Sequence, residues 1–284
     1  MPNVAPTSQR GFSLVELLVA VALIAVLIAL VLSVAGSVRS GASKASEMAS
    51  GRALITAWMG YATDHRGSVL PGYAQGFRGR DSSGEWLDVS TADVAVWRWP
   101  LRLAPYLGDD YAALFPGDTR RTFEQIAESP TASRLYSVSV TPAFGLNSLF
   151  VGGDLNWGGG SDIFTETFGN FYATKVSTIR NPERLGVFLT SRNLSSVTGQ
   201  VSQGFFRVLP PAWTTVLWSN EYDADDPAGT GFVSPRHKEG AKDVAIVATA
   251  DGAVATETIE ELRDMRRWCD LADSPDWLMT PVGP

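Results

Sequence analysis

Two shortages bound the chemistry of this 284-residue chain: it holds one cysteine, Cys269, and two histidines, His65 and His237. A single thiol cannot close an intramolecular disulfide, and two distant histidines without a cysteine cluster do not make a zinc site. No Gly-x-Ser-x-Gly pattern occurs and no histidine is placed as an obvious base, so nucleophilic catalysis has no visible constellation. Positive charge is scarce as well. Lys and Arg number 23 against 30 Asp and Glu, a formal net charge of −7, whereas nucleic acid demands a basic stripe. Proline is missing between Pro6 and Pro71, and between Phe12 and Val38 the only ionisable side chain is Glu16.

What fills that uncharged, proline-free stretch is an apolar run through Val21–Leu32. Roughly 20 apolar residues rising 1.5 Å each cross a ~30 Å hydrocarbon core. A lone carboxylate in such a segment costs about 2.5–3.5 kcal/mol at the membrane centre and less near an interface, so Glu16 needs a partner. The helix is expected over 12–63, spanning the membrane to about residue 38. Beyond that point Met48, Ile55, Met59 and Ala62, with Leu54, Trp58 and Tyr61 beside them, form an amphipathic stripe for docking a globular head. Arg39, Lys44, Glu47 and Arg52 read as its polar residues. Two glycines and three serines in Val34–Ser43 mark the place for a bend or local melting.

Gly11-Phe12-Ser13-Leu14-Val15-Glu16-Leu17 and the apolar helix behind it resemble the processing signal of type IV pilins and of the pilin-like subunits of type II secretion systems. The resemblance covers about a tenth of the chain. It implies that a prepilin peptidase cuts after Gly11 and methylates the new amine of Phe12. It also implies assembly with other pilin-like subunits, as a homo- or hetero-filament, on an inner-membrane platform. On that reading residues 1–11 are a leader left in the cytoplasm. The single-pass helix sits in the inner membrane, and residues 64–284 form a periplasmic or extracellular head. The competing reading is an exported or membrane-anchored periplasmic enzyme or binding module that uses an ordinary signal peptide, with Ser33-Val34-Ala35 as an acceptable cut site. The cut amine would lie about one helical turn from Glu16, so in parallel helices each Glu16 could meet a neighbour's amine. A paired buried charge costs far less than a lone one.

The fold expected is α+β and pilin-like, the long helix packed on a mainly antiparallel sheet with extra loops around 72–135. Trp97, Leu101, Ala104 and Leu107 fall on one face of a short helix, and the paired tryptophans read as core. Leu135–Val140 alternates like a strand; Leu185–Leu189, Phe205–Leu209 and Thr215–Trp218 are further strand candidates. Gly158-Gly159-Gly160 reads as a flexible loop. Val244, Ile246, Ala248 and Ala250 line one strand face, Asp251-Gly252 is a two-residue hairpin turn, and Thr258 with Glu261 makes a capping box. A helix with Ile259, Leu262, Met265 and Cys269 as its buried stripe should come after it.

Pro235-Arg236-His237 followed by Asp251-Gly252, the Trp99-Pro100 to Tyr106-Leu107 region and the Asn181-Pro182 segment are similar to a large-headed bacterial group of pilin-like proteins. In that group a His precedes an Asp-Gly hairpin by a shorter gap. His237 itself reads as a loop residue that hydrogen-bonds the hairpin. Asp223, Asp225 and Asp226 offer hard oxygens at near-alternate positions and are the one candidate calcium loop, against a solvated acidic turn. No other cofactor is expected.

Overall fold

The computed structural model describes residues 13–87, 94–195 and 198–283. The leader with Gly11, and Phe12, lie outside the described residues. Two compact units result, Met1–Ala42 and Ser43–Pro284.

Helix α1 is helical throughout Leu14–Asp64. The expected melting within 34–43 does not occur. With no proline to remove a hydrogen bond, glycines costing up to about 1 kcal/mol each do not end the helix. In the first unit, Leu14–Val31 has a mean hydropathy of 3.1, and none of it is buried against protein. That is the surface a membrane or neighbouring helices would cover.

In the second unit α1 buries Ser43, Glu47, Gly51, Leu54, Ile55, Trp58 and Ala62, a stripe stepping by three and four residues. Met48 and Met59 flank it, half-buried. Tyr61 is buried too, so the expected stripe is largely the buried one, Met48 and Met59 lying at its margin. It also takes in Glu47, which the sequence placed on the polar face. Leu54, Ile55 and Trp58 pack in one core with Phe144, Phe188, Ile246 and Ala248 of the sheet.

The sheet is antiparallel throughout: β1 (Phe144–Leu146), β2 (Gly186–Thr190), β5 (His237–Glu239), β6 (Lys242–Thr249) and β7 (Val254–Thr258). A separate ribbon pairs β3 (Arg192–Leu194) with β4 (Val201–Gln203). Val244 pairs with both His237 and Thr258, and Val247 with both Leu189 and Ala255. One edge of β6 is therefore shared by β2 and β5 in succession, and the other belongs to β7. Both faces of β6 are covered. Ile246 and Ala248 face the α1 core, while Ala245 and Val247 pack with Leu262, Met265, Trp268 and Cys269. Burial on both faces explains the near-continuous apolar run through Val244–Ala250.

Several sequence expectations meet corrections. Thr131–Val140 is a helix, not a strand, because Leu135, Val138 and Ser139 meet the core at helical spacing. Phe205–Leu209 and Thr215–Trp218 make only isolated bridges, Leu146 with Arg207 and Ala212 with Val216. Inside the closing bond of Thr249 N to Ala253 O, the Asp251-Gly252 turn has three residues, Ala250–Gly252, not two. Gly252 N donates to Thr249 O and Gly252 takes φ +92°, the positive-φ residue that closes such a turn. Thr258 and Glu261 do exchange hydrogen bonds. Beyond them the chain makes two 3₁₀ turns, Glu261–Arg263 and Met265–Arg267, since Asp264 is extended and its carboxylate accepts from Arg266 N. Gly158-Gly159-Gly160 is tightly packed rather than loose: a Cβ on Gly159 would lie 2.3 Å from Asp154 N. Trp99–Leu103 is α-helix and Ala104–Leu107 is 3₁₀, with Trp99 fully buried.

Cys269 is 1% exposed, and burial pushes its thiol from the ordinary 9.0 up to about 12. The native protein should resist iodoacetamide at pH 8 and react only in denaturant, as a labelling time course read by mass would show. Between pH 9 and 12 the unfolded thiol has lost its proton while the native one keeps it. Stability therefore falls as pH climbs through that window.

Candidate functional site

At the start of α1 two side chains satisfy each other. Ser13 N donates to Glu16 Oε2 at 2.8 Å, and Glu16 N donates to Ser13 Oγ at 3.2 Å. This is a reciprocal cap, formed by a Ser three residues before a Glu. In the single chain, then, Glu16 has a polar partner within its own first turn. That role went unread in the sequence, although the same spacing pointed to Thr258 and Glu261.

Glu16 is the only ionisable residue within Leu14–Val31. The cap offers hydrogen bonds but no positive charge. The carboxylate keeps lone pairs to spare for a cation brought from outside.

The prokaryotic N-terminal methylation motif matches residues 6–32. The chain carries a type IV pilin-like prepilin signal. No curated protein and no solved structure matches the chain. The prepilin signal and the apolar helix behind it fit anchoring in a membrane by a single N-terminal helix. An α+β head with an antiparallel sheet accompanies it, as a pilin-like fold expects.

The second charged site lies in the head and ties α1 to the sheet. Glu47, 1% exposed, receives Arg236 Nε at 2.9 Å and Arg236 Nη2 at 2.9 Å on the same oxygen, Oε2. His237 Nε2 lies 2.8 Å from that oxygen as well. Next to an ionised Glu47 that contact requires a proton on Nε2. Arg236 also donates to the carbonyls of Ser191 and Ala143 and to Gln203 Oε1. Burial pulls the Arg236 guanidinium down, and Glu47 pushes it back up. His237 is therefore a buried strand residue, not a loop residue, and its ring binds α1 rather than the Asp251-Gly252 hairpin. Ser43 and Glu47 crowd Gly117, where a Cβ would lie 2.6 Å from Ser43 Oγ.

The acidic loop has a cation of its own. The buried Arg192 guanidinium donates to the backbone carbonyls of Ala224, Asp223 and Asp226 at 2.5, 2.8 and 3.1 Å, and to Thr230 Oγ1 at 3.1 Å. Those carbonyls are the oxygens that a loop would turn towards a bound calcium. Asp223 Oδ1 accepts from Asp225 N, and the residues 223, 225 and 226 are exposed. Among the described residues no group of three His, Cys, Asp or Glu side chains is placed to hold a metal. Arg192→Ala should speed amide exchange in residues 223–233 by roughly tenfold or more while leaving β6 unchanged, as hydrogen-exchange mass spectrometry would report. Unaltered exchange there would show that the loop is held by other contacts.

Proposed function

We propose that this protein is a structural subunit of a type IV pilus-like or type II secretion pseudopilus filament. The observation that carries the reading is the match to the methylation motif at residues 6–32, with Glu16 as the lone acid of an apolar helix. Prepilin peptidase, on this reading, removes Met1–Gly11 and methylates Phe12. The amine so created competes with Ser13 for Glu16 of the neighbouring subunit. That exchange replaces a neutral hydrogen-bond partner with a charged one in a low-dielectric bundle, where charge-assisted bonds are about twice as strong. The head's Glu47 cluster supports a structural role, since its charges pair with each other and fasten α1 to the sheet. The helix would sit in the inner membrane and the head on the far side, with the assembly platform as a further partner.

The test is intact mass and N-terminal sequencing of the protein made with and without prepilin peptidase. The expected product begins at N-methylated Phe12 only when the peptidase is present. A mature chain that begins at Gly36 in either strain would overturn the proposal and point to an exported protein that has shed its helix.

A further inference from the structure

Next to the last turn of α1 the head holds a cavity of about 580 Å³ that neither the signal nor the Glu47 cluster uses. Tyr61, Phe77 and Trp86 line it with three arginines, Arg78, Arg80 and Arg102, against one carboxylate, Asp64, which accepts from Tyr106 Oη at 3.1 Å. Three guanidiniums gathered at one place in an acidic chain need an explanation, and the ion pair of Arg80 with Asp109 supplies only part of it.

Arg102 is 4% exposed, and no carboxylate forms an ion pair with it among the described residues. Its Nη2 donates to the carbonyls of Pro71, Gly72 and Trp97 at 2.6, 3.1 and 3.1 Å, while Nη1 is buried without a hydrogen-bond partner. Burial lowers this guanidinium to about 10, so it stays charged at neutral pH. Arg80 reaches Asp109 only at 3.8 Å, and its Nε is likewise unpartnered. Leaving a buried donor unmade costs about 1–3 kcal/mol, more for a charged group. The aromatic walls fix the cations in place. Arg78 and Arg80 lie 5.1 and 4.6 Å from the Trp86 ring centre, and Arg102 lies 4.9 Å from that of Phe77. Tyr61 is stacked on His65 at 3.9 Å.

We propose that this cavity binds a small organic anion in which one carboxylate is joined to a flat apolar ring. The guanidinium fork matches a carboxylate in geometry and charge, and the aromatic walls match the ring. A volume of about 580 Å³ falls in the range of roughly 300–1,000 Å³ typical of small-molecule sites. The overall charge of −7 works against a long polyanion, which would meet repulsion outside the cavity.

Titration calorimetry on the full chain in detergent tests the assignment with phenylacetate as probe. Phenethyl alcohol carries the ring without the charge, and inorganic phosphate carries an oxyanion without the ring. Phenylacetate should bind at least about tenfold more tightly than either. The variants Arg78→Ala and Trp86→Ala, both at exposed positions and expected to fold, should each weaken it by about tenfold. Lys242→Ala, on an exposed strand end elsewhere, should not. Equal binding of phenylacetate and phenethyl alcohol would remove the anion site, and equal binding of phosphate would remove the ring. No measurable heat with phenylacetate, or full affinity in both variants, would overturn the proposal outright.

Discussion

Arg236→Met should lower the stability of the head by about 3–5 kcal/mol, the cost of stranding one charge of a buried pair. Three features put the expected loss at that level rather than at the ~0–1 kcal/mol of an exposed pair. Glu47 is 1% exposed, so its carboxylate could not recover hydration after the guanidinium is gone. The guanidinium also gives up its bonds to the carbonyls of Ala143 and Ser191, which keep only the backbone N–H groups of Ser191 and Gly204 and the Ser191 hydroxyl as donors. His237 would then be the only remaining described partner of Glu47 Oε2. Urea unfolding of the full chain, followed by tryptophan fluorescence, would measure the loss. The double variant Glu47→Leu with Arg236→Met should recover part of it, because no charge is then left unpaired. A single variant that costs less than about 1 kcal/mol would show the cluster to be hydrated and of little consequence.

The second large effect concerns Glu16, and two substitutions divide its roles. Glu16→Gln keeps an acceptor that can cap Ser13 N, since Gln serves at this position as Glu does, but it removes the charge. Glu16→Leu removes both. If pairing with a neighbour's amine is what selects incorporation, both variants should reach the membrane and be processed. Both should then fall by about tenfold or more in sheared filament, equivalent to about 1.4 kcal/mol per subunit addition. Quantitative immunoblotting of filament and membrane fractions would read this out. Wild-type incorporation of Glu16→Gln would assign Glu16 to capping alone, and the pairing account would fail.

The elements legible in the sequence were those whose signals are local. A long stretch without proline gave α1, the Asp251-Gly252 pair lay in the connection between β6 and β7, and an apolar run after Asn181-Pro182 marked β2. Thr258 and Glu261 stood at the spacing a reciprocal cap requires, and they form one. Errors arose where tertiary packing outweighs local pattern. Residues 135–140 alternate in polarity, yet their helix is decided by which residues meet the α1 core. The helix expected after Thr258 is interrupted because the Asp264 side chain captures Arg266 N, a competition between side chain and backbone that periodicity does not register. Glu47 was the least visible of all. A glutamate among serines and arginines on an amphipathic helix reads as a solvated face, and its partners lie 189 and 190 residues away in sequence. The Arg192 loop was hidden for the same reason. The acids were conspicuous, while the cation that organises their backbone comes from a different strand.

The Glu47 cluster has a mechanical consequence. If the chain is the filament subunit proposed above, a lengthwise pull loads the place where rod and sheet are fastened together. Apolar faces resist such a pull through interdigitated side chains, whose many weak contacts carry no directional bond. A carboxylate gripped by two side chains of β5 and its approach cannot shift by half a turn without breaking several directional bonds at once. Traction on the rod thus reaches the central strand β6 by two routes, the apolar core and this directional clamp acting through β5.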